Sequence, residues 1–418
     1  MNAVVTPLIR AVDRLGLYFR AARNDHREIL NLLASGPPAF TGVVLDASHE
    51  DRQGDLRQEL ARRRLEAVLD PMTMELATPG GWERAGLRGL PWAGVALHAP
   101  SAFSTVDGLA DPIAAFAFEK NYGAVLSPTH YIGGVDDPWF RIDLAACGRL
   151  RAQLDAAARR DVPIYYRLAI PRRALTEPNH RRAIVSRLAD LEIDAVWLSL
   201  HPVEADASAN VLMSYIDLCR DFAKAGLPLV AEHTGFVGLA LLGFNAVAGI
   251  ESGITLGERF NMNNLIHPPK RKDDGRPFAR SPRVYIDRLG VFLVPDEAKK
   301  FMAAPGIRRR FACQDQPCCR QPEDMIEQPR RHFLHARAQQ VTEIARVPSH
   351  LRPTVHLDTI RRASDDATQA ARINKRFEQE QRRLGEWRQA LATYVQTNDC
   401  ATSTVTLASG RLRRRKSA

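Results

Sequence analysis

The sequence predicts an α/β protein built on a (β/α)8 TIM barrel, with a zinc-binding C-terminal subdomain and a helical extension. Three observations lead there. Short apolar runs bounded by turn residues recur eight times between positions 43 and 253. Most are followed by segments of helical periodicity, and such alternation makes a parallel sheet buried on both faces. Eight consecutive units fit a closed barrel better than a doubly wound open sheet. Finally, cysteines and histidines crowd into one stretch beyond the last run.

Residues 1–40 read as a helical segment capping the barrel entrance, ending at "SGPPAF". The barrel is expected over 41–256. Its strands are "VVLDAS" (43–48), "EAVLDP" (66–71), "GVALHAP" (94–100) and "GAVLSPTHY" (123–131), then "PIYYRLAIP" (163–171), "DAVWLSLHP" (194–202), "LPLVAEHTG" (227–235) and "AVAGIESG" (246–253). Between them "DLRQELARRRLEAV", "DLAACGRLRAQLDAAARR", "HRRAIVSRLADLE" and "VLMSYIDLCRDFAKAG" carry the helices. A basic loop and zinc-knuckle subdomain follow over 257–350, opening with the charged stretch "HPPKRKDDGRPFARSPR" (267–283). Residues 351–418 read as long charged helices and the disordered basic tail "SGRLRRRKSA".

The opening residues hold Arg10 and Asp13 and lack the apolar core and cleavage site of a signal peptide. No run of about 18 apolar residues occurs, so no membrane span is expected. A cytoplasmic location follows, where thiols stay reduced and clustered cysteines favour metal over disulfides. Of the six cysteines only Cys313, Cys318 and Cys319 cluster, and His332 and His335 follow three residues apart on one helix face. The expected ligands of a structural zinc are Cys313, Cys318, Cys319 and His332, with Asp315 or His335 as substitutes. Three unrelated thiols in a loop would be the plain alternative.

Charge divides the chain. Residues 1–256 hold 26 Lys+Arg against 30 Asp+Glu, whereas 257–418 hold 32 against 18, a net of +14. A basic C-terminal part beside a mildly acidic barrel points to a polyanionic partner, or else to a merely arginine-rich composition.

Barrel chemistry sits at the C-terminal ends of strands. Those ends offer Asp46, Asp70, His98, His130, Arg167, His201, Glu232, His233 and Glu251. Paired carboxylates suit glycosyl chemistry, one as nucleophile or cation stabiliser and one as acid or base. Asp46, Asp70 and Glu251 are the catalytic candidates, with Glu251 the nucleophile by position; His130, Arg167, Glu232 and His233 are the candidate substrate contacts. The plainer reading has both aspartates capping helices and Glu251 paired with a nearby arginine. No Walker loop, nucleophile elbow or dinucleotide fingerprint appears in context.

Together, the barrel, the Cys/His stretch after its eighth strand, the mouth carboxylates and the basic face resemble the tRNA-guanine transglycosylase superfamily. That family includes the queuine and archaeosine enzymes and the DNA deazapurine transglycosylases. "CQDQPC" (313–318) is similar to the outer span of the family's Cys-x-Cys-x-x-Cys motif, with Asp315 at the middle cysteine, and "FLHARAQQVTEI" looks like its following helix. "GIESGITLGERF" stands where the family has a Phe-Asp-Cys stretch, leaving Glu251 as the nearby carboxylate, and the Asp-Ser-Gly-Gly loop is matched only loosely around Asp46 and Asp70. The resemblance implies exchange of guanine in tRNA or DNA for a deazapurine base, a structural zinc, no membrane partner and room for a homodimer. A non-catalytic zinc-containing nucleic-acid-binding barrel and a small-molecule lyase or hydrolase are the other readings. Steep salt dependence of binding separates the nucleic-acid readings from the last.

Overall fold

The computed structural model describes residues 15–203, 207–254, 258, 260–267, 283–398 and 405–407. The expected helical start (1–14), nearly all of the 267–283 loop and the basic tail lie outside the described residues.

Eight parallel strands close into a barrel: β1 (Gly16–Ala21), β2 (Gly42–Asp46), β3 (Glu66–Asp70), β4 (Ala124–Leu126), β5 (Ile164–Pro171), β6 (Ala195–His201), β7 (Leu229–Glu232) and β8 (Gly249–Gly253). The expected number is right, but its membership needs two corrections. "GLYFRA", inside the segment expected to be a helical cap, is the first strand. It pairs with both β2 and β8 and so completes the closure. Only the helix His26–Ser35 follows it within that segment. Conversely, "GVALHAP" is no strand: Gly94 takes a left-handed φ of +68° and Val95 is fully exposed. Its alternation of small apolar residues meets no facing layer. Asp46 and Asp70 therefore end strands two and three while Glu251 lies in the middle of strand eight, with β1 standing between β8 and β2.

Closure at that seam is tight. A Cβ built on Gly249 would lie 2.9 Å from the Gly16 carbonyl oxygen and 3.0 Å from its Cα, so glycine is needed there.

Alternation along the strands sorts the barrel interior into two layers. The lower is apolar and aromatic: Tyr18, Val44, Val68, Ala124, Leu126, Tyr165, Ala195, Trp197 and Val230. Two residues further along the same strands comes a polar layer, with Arg20 above Tyr18, Asp46 above Val44 and Asp70 above Val68. Arg167 stands above Tyr165, Ser199 above Trp197 and Glu232 above Val230. Glu251 lies opposite Tyr18 across the β1–β8 pairing. The lower layer gives the polar layer a dry floor.

The last β/α unit is interrupted. After β8 the chain forms an antiparallel hairpin, β9 (Val284–Ile286) with β10 (Val291–Leu293), and then the cysteine segment. Only then does the helix Pro329–Arg346 pack against both His26–Ser35 and Gly235–Gly243, the helices that follow β1 and β7. It fills the position of the barrel's eighth helix, so the Cys/His part is an insertion ahead of the closing helix. Two long helices, Arg352–Ile373 and Glu378–Thr397, pack on each other and against Gly235–Gly243 and Ala209–Lys224, respectively. Leu407 returns to the barrel floor beside Gly16 and the lower layer. No described helix is long and apolar enough to cross a membrane.

Candidate active site and metal centre

Arg20 is the hub of the polar layer. Its guanidinium donates to Asp46 Oδ1 (3.1 Å), Asp70 Oδ2 (2.6 Å), Glu232 Oε1 (3.1 Å) and both Glu251 oxygens (3.0 and 3.1 Å). Arg167 adds bonds to Glu232 Oε1 (2.7 Å), Glu232 Oε2 (3.1 Å) and Asp70 Oδ2 (3.2 Å). Thus Asp46, Asp70, Arg167, Glu232 and Glu251, predicted separately from strand ends, meet in one network.

Burial alone would favour the protonated forms of Glu232 and Asp46. Against that burial, Arg167, His233 and Arg20 hold Glu232 well below the usual carboxylate range, and His49 and Arg20 lower Asp46. His233 lies 3.4 Å from Glu232 and 3.7 Å from Glu251. Burial disfavours its charge, but the two glutamates outweigh that and raise its pKa. Four carboxylates thus outnumber the two arginines, with His233 and His49 at the edge of the set.

The carboxylates differ in freedom. Glu251 is sealed, with Trp197 Nε1 donating to Oε2 at 2.8 Å beside the Arg20 bonds. Glu232 also accepts from Ser199 Oγ. Asp70 Oδ1 takes the Met72 amide at 2.8 Å while Oδ2 takes both arginines. Asp46 is the most open, its side chain 13% exposed and its Oδ2 at 3.6 Å from His49 Nδ1. Beside the network Met74, Ala169, Phe260 and Met262 form a separate apolar cluster with Tyr131 against it, and His233 stacks on Phe260 at 6.4 Å.

The plain alternatives fare unequally. Glu251 does pair with an arginine, whereas no aspartate side-chain cap forms on the helix after Asp46. His130 does not join the network: its Nδ1 and backbone amide bond the two oxygens of Asp143 (2.7 and 2.8 Å), and its ring stacks on Trp139. His98 bonds the Trp92 and Ala93 carbonyls, and His201 accepts from the Met262 amide.

Arg20 went unanticipated because its strand did. A signal was present: "LYFRA" (17–21) and "YYRLA" (165–169) each carry an arginine two residues after an inward tyrosine.

The second constellation is Cys313, Cys318, Cys319 and His332, whose donor atoms all lie within 4.8 Å of one another. This cluster could hold a metal ion. The Asp315 carbonyl accepts the amides of both Cys318 and Cys319 (3.1 and 2.8 Å), a turn that presents adjacent thiols together. Their sulfurs are 3.6 Å apart and lie 3.4 and 3.6 Å from His332 Nδ1. His332 Nε2 sits 3.0 Å from the Tyr285 carbonyl. A proton on Nε2 would fill that bond and leave the Nδ1 lone pair facing the thiols, the outer-shell arrangement usual for a ligating histidine. Three thiols and an imidazole suit zinc. Asp315, Cys318 and His335 form an overlapping trio at similar spacing.

Two ion pairs hold the closing helix, which carries His332, to the mouth end of the barrel. Fully buried Arg337 donates to both oxygens of Glu258, just past β8 (2.7 and 2.9 Å), and Ser252 of β8 bonds Glu258 at 2.6 Å. Arg330 lies 3.6 Å from Asp25, just past β1.

The chain matches no protein-family model, and no curated protein sequence matches it. Among solved structures it is similar to the endo-1,4-β-D-xylanase 10B modules of Clostridium thermocellum complexed with xylohexaose, at 12% identity and a TM-score of 0.38 over 61% of this chain and 66% of that one. It is similar to the YdjI aldolase of Escherichia coli K12 at 9% identity and 0.38, over 79% and 90%. The 3-dehydroquinate dehydratase of Enterococcus faecalis follows at 10% and 0.35, over 63% and 98%. These loose likenesses carry no weight for activity; the barrel rests on its own closed strand order.

Proposed function

We propose that the chain is a base-exchanging transglycosylase, replacing guanine in tRNA or DNA with a deazapurine. The observation that carries this reading is the polar layer, where four carboxylates from four strands outnumber two arginines above a dry floor. A carboxylate-rich layer favours a sugar that gains positive charge as its bond to the base breaks. Asp46, with the freest oxygen, is better placed than Glu251 to attack the anomeric carbon. Glu251 and Glu232 then serve to hold Arg20 and Arg167. The apolar cluster of Met74, Ala169, Phe260 and Met262 would take the flat face of a base.

The Cys/His cluster would carry a structural zinc, and its place at the mouth supports a role in seating nucleic acid. Exposed Arg309 and Arg320 flank it in a region of net positive charge. A cytoplasmic setting accords with reduced thiols.

The test incubates the protein with tRNA or duplex DNA carrying labelled guanine, with a deazapurine added. Label should be released, and Asp46→Asn should lower the rate at least about 10³-fold while nucleic-acid binding persists. Salt-sensitive binding without any release would leave a non-catalytic binding barrel. Neither binding nor release would leave a small-molecule enzyme.

A further inference from the structure

One carboxyl at the mouth has a buried oxygen with no hydrogen-bond partner among the described residues. Glu75 lies on the short helix Thr73–Leu76 just past β3, 93% buried, and its Oε2 has no partner. Its surroundings are the polar layer itself: Arg167 of β5, Asp70 of β3, Asp46 of β2 and Arg20 of β1 all act on it electrostatically. The other elements packed on its helix bring little charge. Pro79–Trp82 has no titratable residue, and Arg88 of Ala85–Arg88 is exposed, with its Nε turned to the Trp82 carbonyl. Both arginines are already committed to Asp46, Asp70, Glu232 and Glu251, so Glu75 stands beside a filled set of ion pairs.

An unpaired buried carboxylate is among the most costly groups a protein can hold, and a protonated carboxyl is far cheaper. We infer that Glu75 is the proton carrier of the mouth, neutral in the resting enzyme and placed to donate to a leaving group held above Asp46 and Asp70. This rests on the base-exchange reading above. Burial pushes Glu75 up to about 7, against the pull of Arg167 and with the push of Asp70, which suits a group that gives and retakes a proton near neutrality. Asp70 is unsuited to that task, because both its oxygens already accept hydrogen bonds.

The exchange then balances. As the C1′–N9 bond breaks, its electron pair leaves with guanine, Glu75 gives its proton to the purine, and C1′ bonds an Asp46 oxygen. In the return half, N9 of the incoming deazapurine bonds C1′, the C1′–Asp46 bond breaks, and the N9 proton passes to Glu75. The resting protonation is restored.

Infrared titration of the intact protein, without nucleic acid, tests the first half of the inference. A protonated-carboxyl band should persist into neutral pH, vanish as pH rises through about 7, and be missing in Glu75→Gln. Guanine release tests the second half. Glu75→Gln should lower kcat by about 10²–10⁴-fold with KM little changed, and should remove the alkaline limb of the rate profile. Glu75→Asp, still an acid, should keep that limb. A wild-type band that is absent at neutral pH, or a Glu75→Gln enzyme with unaltered rate and profile, would overturn the assignment. If the band titrates as described but wild type releases no guanine, base exchange fails and the delivery step fails with it, while the resting proton on Glu75 stands.

Discussion

The mouth network and the Cys/His cluster solve the same problem, crowding polar donors out of water, by opposite means. In the mouth, charges compensate one another: Arg20 and Arg167 are held by carboxylates from β2, β3, β7 and β8. In the cluster, four donors within a 20-residue span (313–332) face one point and suit a single ion. One site is assembled by closing the whole barrel, the other by a local turn and one helix. The first should therefore answer to global folding and to pH, the second to metal supply.

Arg20→Met should break the comparison most forcibly. It strands four acids with one remaining arginine, and breaking a buried pair costs about 3–5 kcal/mol. With four partners lost, the upper end of that range or outright failure to fold is expected, measured by urea denaturation. A near-neutral effect would mean that the carboxylates are hydrated and the network is not buried in solution.

Metal removal is next. Purified protein should carry about one zinc per chain by elemental analysis. Chelation should lower stability by about 4 kcal/mol relative to zinc at a thousandfold excess over Kd. Cys318→Ser should lose the metal, and the mouth should keep its network. Full stability in metal-free protein would sever the cluster from any structural role.

The pH response is the smallest of the three and separates the regions most finely. Glu75 stands at about 7 against an unfolded value of 4.5, so between those limits the folded chain holds a proton that the unfolded chain has lost. Stability therefore falls as pH rises through this window, by about 3 kcal/mol in all, and stays lower above it. Buried His98 and His356 act oppositely: burial pushes both down to about 4 from 6.5, so they destabilise as pH falls below 6.5. Comparing Glu75→Gln with wild type isolates the glutamate. The variant should gain relative stability above pH 7 and little below pH 4.5. Identical pH dependence in the two proteins would return Glu75 to an ordinary exposed acid.

Both regions left marks in the sequence, of different kinds. The cluster could be read because its donors are close in the chain, although the turn around the Asp315 carbonyl could not. The network was half legible: Asp46, Asp70 and Glu232 are strand-end acids and Glu251 a mid-strand one, and their places follow from period-two alternation. Arg20 hid in a strand that lies inside the segment read as a helical cap. "GVALHAP" took its place in the count because alternation alone cannot say whether a facing layer exists. Glu75 gave no pattern at all, since its importance lies in the absence of a partner.

The interrupted last unit makes the cover over the barrel's closing seam the last part of it to be synthesised. β8 is complete at Gly253, yet the helix that covers the β8–β1 seam begins only at Pro329. The helix can dock only once this long stretch has been made, and closing so long a loop is entropically costly. Until then, the seam between β1 and β8 is uncovered, and any opening there presents two unpaired strand edges, which invite pairing with other chains. A nascent chain starved of metal would be expected to linger in that state, so aggregation during synthesis should follow metal availability rather than the stability of the finished barrel.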